Sequence, residues 1–263
     1  MKTYRAKKSL GQNFLKSEMA LRKIIEAGEI KKDDVILEIG PGKGALTEKL
    51  LAYSCQLIAV EKDKELVELL KEKFKKEIEA NTLILVCEDI LKFKIENSKL
   101  RNYKIIANIP YNITGAILKK FLTEKNQPES MILMVQREVA KRITTPGPSS
   151  KKRGGKESIL SISVKVYGEP KMIMKIPKRY FSPAPKVDSA VIAIKNISRK
   201  FFTDNQIKEE KFWEIVKMGF AHKRKKISSN LKTLKNGSLA SVLDLGNKRA
   251  EDLSLSDWIL LAK

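Results

Sequence analysis

Four short apolar runs, each stopped by a residue that can hold a ligand, constrain the fold of this chain more than any other feature. They are residues 35–39, 56–60, 82–86 and 103–107, and they stop at Gly40, Glu61, Glu88-Asp89 and Asn108. Helical spacing fills the gaps, first over 45–53 and then in a lysine- and glutamate-rich stretch over 64–78 that turns Leu66, Leu69, Leu70 and Phe74 to one side. Strands that are apolar without alternation, joined by helical connections, belong to a parallel sheet buried on both faces. The expected fold class is α/β, with helices on both sides of the sheet. Ligands of such sheets bind beyond the carboxyl ends of the strands, where all four polar stops stand. A helix over 115–122 and a fifth strand over 131–135 extend the pattern.

The flanking segments are of other kinds. The first 16 residues, MKTYRAKKSLGQNFLK, are basic and loop-like, and Ser17 then opens a helix carrying Met19, Leu21, Ile24 and Ile25 on one face. The stretch TPGPSSKKRGGK, residues 145–156, suits a solvated loop or a lid that contacts RNA. Residues 159–167 and 189–194 read as antiparallel closing strands on either side of YFSPAPKVDS. From Phe201 onward the chain reads as helical, with Phe212, Ile215, Val216 and Phe220 on one stripe. The expected division is a main domain over 1–198 and a small helical, RNA-binding domain over 199–263.

Charge and rare residues narrow the chemistry. The 263 residues include 53 Lys and Arg against 31 Asp and Glu, a net charge of +22, which makes a polyanion the default partner, nucleic acid before an anionic membrane surface. The lysine surplus is not matched by acid, as it would be on a merely solubilising surface. No apolar run approaches the roughly 20 residues that cross a bilayer, and none follows the basic amino terminus, so a soluble cytoplasmic protein is expected. Cys55 and Cys87 sit within apolar runs and read as small buried hydrophobes, and neither a disulfide framework nor a metal cluster is visible. The single histidine, His222, lies in a Lys/Arg run with no carboxylate or cysteine beside it. Catalysis by a histidine triad or a histidine-rich metal site is thereby disfavoured, and many hydrolase classes with it. Nothing in the sequence signals oligomerisation, and a monomer is expected.

A glycine turn after the first strand lets the backbone approach a nucleotide-like ligand, and an acid ending the second strand can bind ribose hydroxyls. Gly40-x-Gly42-x-x-Ala45 followed by Glu61 fits a dinucleotide-binding protein equally well. Asp89 after the third strand is placed to bond an adenine amino group and leaves nothing for a second nucleotide. An adenosyl ligand suffices, and S-adenosylmethionine is the commonest. The stretch Asn108-Ile109-Pro110-Tyr111 then acquires a role. An exocyclic adenine nitrogen is a poor nucleophile because its lone pair is delocalised into the ring. Asn108 and the Ile109 carbonyl can hold that nitrogen in a more tetrahedral geometry, Pro110 stiffens the turn, and Tyr111 can stack on a flipped base. Phe181, in a second proline-stiffened turn, is suited to presenting a ring from the opposite side.

The motifs GQNFL (11–15), LEIGPGKGALT (37–47), VEKD (60–63), ED (88–89), NIPYN (108–112) and FSPAPKVDSAV (181–191) resemble the adenine N6-dimethyltransferases of ribosomal RNA. The resemblance runs in order from residue 7 to about 195. It implies a Rossmann-like methyltransferase sheet and S-adenosylmethionine contacts from Asn13, Leu15, Gly40, Glu61, Asp89 and Asn108, with Gln12, Gly42 and Lys62 in the same motifs and Ile90 directly after one. It also implies that Asn108, Tyr111 and Phe181 hold the target adenine. The KKSLGQNFL start and GFAHKRKKISSNLK are similar to the small-subunit branch, which dimethylates two adjacent adenosines in the hairpin near the 3′ end of 16S rRNA in the 30S particle. The 23S branch linked to macrolide resistance shares the NIPY and FSPxP elements, and a non-catalytic assembly protein could retain the fold. Residues His222, Lys223, Arg224, Lys225 and Lys226 are expected to extend a helix and meet rRNA phosphates. The link between Arg142 and Ile159 is longer and richer in lysine than the family pattern, so contacts made by that loop do not carry over.

Overall fold

The structure, a computed structural model, describes residues 4–94, 100, 102–148, 155–232 and 245–263. Two compact units emerge, one comprising 1–140 with 169–197 and the other 141–168 with 198–263. A single cut near 198 therefore describes the chain incompletely, because the segment 141–168 joins the later unit.

The first unit is built on a seven-stranded sheet. Its strands are β2 (Val35–Ile39), β3 (Gln56–Glu61), β4 (Leu83–Cys87), β5 (Tyr103–Asn108), β6 (Ser130–Gln136), β7 (Glu169–Ile176) and β9 (Ser189–Lys195), in the spatial order β4-β3-β2-β5-β6-β9-β7. The first five run parallel and β9 is antiparallel to both of its neighbours. A separate two-stranded ribbon pairs β1 (Phe14–Leu15) with β8 (Phe181–Ser182). Helices cover both faces of the sheet, as expected.

The strands are buried on both sides because alternate residues supply different cores. Ile36, Leu57, Ala59, Ile106 and Met134 join a cluster with Leu21, Ile24 and Ile25 of α1 (Glu18–Gly28) and Leu46 and Leu50 of α2 (Ala45–Leu51). Leu37, Ile58, Ile105 and Leu133 are equally buried but outside that cluster. Ser17 starts α1 as expected, its hydroxyl accepting the Ala20 N–H at 3.3 Å. The helix read over 64–78 breaks at Phe74 into α3 (Lys64–Lys73) and α4 (Lys75–Glu79), where the Phe74 ring turns onto Gly44. A Cβ on Gly44 would stand 2.5 Å from that ring, which leaves room only for glycine. The helix expected over 115–122 is α5 (Thr114–Thr123), and α6 (Arg137–Thr144) follows directly on β6.

The strand read over 159–167 is instead helix α7 (Ile159–Lys165). Its alternating pattern mimics a strand, but Ser158 and Ser161 close a capping box: the Ser158 hydroxyl accepts the Ser161 N–H at 3.1 Å and the Ser161 hydroxyl accepts the Ser158 N–H at 2.7 Å. The partner of β9 comes from 169–176 instead. Cys55 is buried as expected, whereas Cys87 is exposed, because it ends edge strand β4. Within the loop at 145–156, residues 149–154 lie outside the described residues. Among the described residues no helix is long and apolar enough to cross a membrane, and no group of three or more His, Cys, Asp or Glu could hold a metal.

The second unit packs α7 and the turn after it with α8 (Lys200–Asp204), α9 (Glu209–Gly219), α10 (Ile227–Asn230) and the helix Leu255–Ala262. Phe201, Phe202, Phe212 and Trp213 form an edge-to-face aromatic cluster, and Tyr167 stacks on Trp213. The predicted stripe of Phe212, Ile215 and Val216 is the buried face of α9, and Phe220 caps that helix.

Candidate active site

The strand order reverses between β2 and β5, and in an open α/β sheet a ligand sits at the carboxyl ends flanking that switch. A cavity of about 460 Å3 lies there, within the usual range for small-molecule sites. Gly40, Gly42, Glu61, Lys62, Asp89, Ile90, Asn108, Ile109, Pro110 and Tyr111 all line it, together with Gln12, Asn13 and Leu15.

The glycine turn follows β2, with Gly40, Gly42 and Gly44 all at positive φ. A Cβ on Gly40 would meet only Pro110, at 3.8 Å, so Gly40 leaves its backbone open to a ligand. Gly42 differs, since a Cβ there would press on the Phe14 ring at 3.0 Å. Its N–H donates to Glu61 Oε2 at 3.1 Å, while the Asp63 N–H donates to Oε1 at 2.9 Å. Glu61 is only 7% exposed, and burial raises its carboxyl pKa against the lowering by these backbone donors. A carboxylate offers about four acceptor positions, so these backbone donors do not fill it. Glu38 lines the same cavity at 1% exposure, accepting the Thr47 hydroxyl at 2.7 Å. Burial pushes its carboxyl up to about 8, with the Glu61 charge adding to the rise. Local sequence gives no signal for Glu38, which reads there as one more position of an apolar strand.

Asp89 accepts the Leu91 N–H on Oδ1 at 3.0 Å and the Lys62 ammonium on Oδ2 at 2.9 Å, and these bonds lower its pKa. Lys62 thus enters the site through Asp89. Residues 9–16 form another wall. Asn13 offers its carbonyl to Asn108 Nδ2 at 3.2 Å, and the Lys43 ammonium lies 5.1 Å from the centre of the Phe14 ring. Gln12 lines the cavity, yet its amide is engaged elsewhere: Oε1 accepts the Lys7 N–H at 2.7 Å and Nε2 donates to Asp63 Oδ2 at 3.0 Å.

At the end of β5 the chain turns through Pro110 (φ −60°, ψ 129°) into a single 3-10 turn, Tyr111–Ile113. The Nδ2 of Asn108 donates to the Asn13 carbonyl, which leaves its Oδ1 as the acceptor end of the amide. The Tyr111 hydroxyl bonds Ser189 Oγ at the start of β9, which fixes the ring; burial raises its pKa. Phe181 is not placed as expected. It is 4% exposed, belongs to the core cluster beside Leu15, its partner in the β1–β8 ribbon, and does not line the cavity. The apolar pull of that core outweighs the turn chemistry that suggested a presented ring.

The run His222 to Lys226 lies in the second unit, in the turn between α9 and α10 and not on a helix, because α9 already ends at Gly219. A Cβ there would come within 2.5 Å of Trp258, so close packing fixes the glycine at the helix end. All five side chains are exposed, and Lys226 donates to Asn247 Oδ1 at 2.9 Å.

A Rossmann-like sheet with an acid at the end of its second strand and Asn-Ile-Pro-Tyr at the switch point is that of a methyltransferase, with S-adenosylmethionine as methyl donor. Residues 3–263 match the family described as ribosomal RNA adenine dimethylase. A protein of Dehalococcoides mccartyi named ribosomal RNA small subunit methyltransferase A is 38% identical, covering 97% of this chain and 87% of that protein. A protein of the same name from Francisella tularensis subsp. novicida is 40% identical, covering 98% and 97%. The crystal structure of a dimethyladenosine transferase from Plasmodium falciparum aligns with a TM-score of 0.78 at 25% identity, over 94% of this chain and 95% of that one. The chain belongs to the ribosomal RNA adenine dimethylase family, and it is an enzyme of that class.

Proposed function

We propose that this enzyme dimethylates the N6 of two adjacent adenosines in the hairpin near the 3′ end of 16S rRNA, acting as a cytoplasmic monomer on the 30S particle. Two relatives named for the small subunit, at 38% and 40% identity over nearly the whole chain, favour this branch over the 23S one. The intact Asn108-Ile109-Pro110-Tyr111 turn favours an active enzyme over an assembly factor without catalysis.

The single observation that carries the mechanism is the Asn108 amide, anchored by its nitrogen to Asn13 and left with its oxygen as acceptor. Glu61 holds the ribose, Asp89 the cofactor adenine amino group, and Gly40 the close approach of the backbone. When bound, S-adenosylmethionine supplies an electrophilic methyl on a sulfonium. In the first transfer Asn108 Oδ1 and the Ile109 carbonyl accept the two N6 hydrogens of the target adenine, drawing the nitrogen lone pair out of conjugation; in the second, one of them accepts the single hydrogen that remains. Tyr111, fixed through Ser189, stacks on the flipped base. The nitrogen sheds its proton to water after alkylation, so no tuned general base is required, and catalysis is positioning and electrostatics. Exposed cations at 222–226 contact rRNA phosphates.

Transfer of labelled methyl to 30S particles lacking the hairpin modification, with 23S rRNA in parallel and nucleoside mass analysis, tests this reading. Dimethyladenosine in the hairpin is the expected result. Label confined to 23S would move the enzyme to the other branch, and label in neither would favour the assembly factor.

A further inference from the structure

Asp63 is the most heavily engaged polar residue near the cavity, and methyl transfer as derived above makes no use of it. It is 3% exposed although it follows the β3 end by only two residues. Its Oδ1 caps α3 by accepting the Glu65 N–H at 3.0 Å and also accepts the Lys7 ammonium at 2.8 Å. Its Oδ2 lies 2.5 Å from the Tyr4 hydroxyl and accepts Gln12 Nε2 at 3.0 Å. A helix cap needs one of these partners. The other three all come from residues 4–12, which precede the wall residues Asn13 to Leu15. Burial alone would raise this carboxyl, yet the bonds from Lys7, Tyr4 and Gln12 hold it down to about 2.

The same residue faces the ligand side. Its backbone N–H donates to Glu61 Oε1, so whatever shifts Asp63 shifts the carboxylate assigned to the ribose. Residues 4–16 are meanwhile tied on the far side of the cavity by Asn108 Nδ2 on the Asn13 carbonyl and by the Lys16 N–H on the Tyr180 carbonyl at 2.8 Å. Gly11, at φ +66°, packs so closely that a Cβ would lie 3.1 Å from Asn112 Oδ1. The segment is a strap across the cavity, fixed at both ends, and Asp63 is the anchor of one end.

We propose that Asp63 is a positioning residue for the cofactor, coupling the strap of residues 4–16 to Glu61 so that the two walls close together on the adenosyl group. The proposal rests on the reading that S-adenosylmethionine occupies this cavity. Tyr4 and Lys7 do not line the cavity, so they act on the cofactor through the residues they touch, chiefly Asp63 and Gln12, whose Oε1 accepts both the Tyr4 hydroxyl and the Lys7 N–H at 2.7 Å.

The test uses the full-length enzyme, calorimetric titration with S-adenosylhomocysteine, and steady-state kinetics. Asp63→Asn keeps an oxygen for the helix cap and removes the charge that gathers the strap. It should raise the KM for S-adenosylmethionine and the Kd for S-adenosylhomocysteine by about tenfold, with kcat changing far less. The double variant Tyr4→Phe/Lys7→Met, which leaves the cap intact, should weaken binding about threefold or more, and adding it to Asp63→Asn should cost little further. S-adenosylhomocysteine should protect Arg5, Lys7 and Lys8 from trypsin in the unaltered enzyme and much less in Asp63→Asn. If both variants keep cofactor affinity within about twofold while Glu61→Ala loses it, the coupling is overturned and the cavity reading stands. If Glu61→Ala also binds normally, the cavity reading and the coupling fall together.

Discussion

The cavity of the first unit and the basic turn of the second use charge in opposite ways. Glu38 and Glu61 in the cavity, and Asp63 beside it, are nearly excluded from solvent, and each is held by specific donors at fixed distances. At 222–226 the side chains are all exposed. Buried carboxylates are costly unless their partners are in place, so their value lies in geometry. Exposed cations act by number and proximity to phosphates, so their value lies in affinity that salt can erode. Catalytic rate and RNA affinity should therefore separate by mutation.

Asn108→Ala gives the largest effect and the sharpest test of that separation. It should lower kcat by about a thousandfold by removing the acceptor for N6. Filter binding should show 30S affinity nearly unchanged, and a parallel loss of both would break the contrast. Lys223→Gln, Arg224→Gln and Lys225→Gln together should weaken RNA binding by about tenfold or more at low salt. They should also reduce the salt slope by about one unit for each phosphate no longer neutralised, with the cofactor KM unchanged. Lys62→Met removes the cation paired with Asp89, and a rise of about threefold in the cofactor KM is expected, read in the same kinetics.

Phe181→Leu sharpens the correction made by the structure. A core ring predicts a stability loss of about 1 kcal/mol in denaturant melts with methyl transfer largely kept, whereas a base platform would show the reverse. The smallest effect concerns Glu38. Its pKa in the folded protein is raised above the unfolded value, so its contribution to stability is complete below about pH 4.5 and is lost as pH rises toward about 8. Glu38→Gln should flatten the fall in melting temperature across that window. Asp63 has the opposite sign: its depressed pKa gives stability that is present above about pH 4 and lost as pH falls through about 2, and Asp63→Asn should abolish that acid limb.

Much of the cavity was legible in the sequence because several of its lining residues stand where an apolar strand stops. Gly40, Glu61, Asp89 and Asn108 were located by that rule alone. Asp63 was hidden within the same VEKD motif, although an Asp directly before an amphipathic run is a helix-cap signal that could have drawn notice. What no local rule could show is that Tyr4 and Lys7, 59 and 56 residues away in the chain, converge on it.

The sequence was misleading where local pattern and local chemistry disagreed. Residues 159–167 alternate like a strand, but the Ser158–Ser161 capping box makes 159–165 a helix, and Phe181 lies in a turn motif, but the core takes its ring. By itself the sequence determined the parallel centre of the sheet, the polar ends of its strands and the chemistry those ends can perform, because strand periodicity and residue type are local properties. Only the tertiary structure decided which unit holds 141–168, which aromatic rings reach the cavity and which donors meet Asp63. Those outcomes depend on contacts between residues far apart in the chain, where burial and hydrogen-bond satisfaction over the whole fold outweigh local preference.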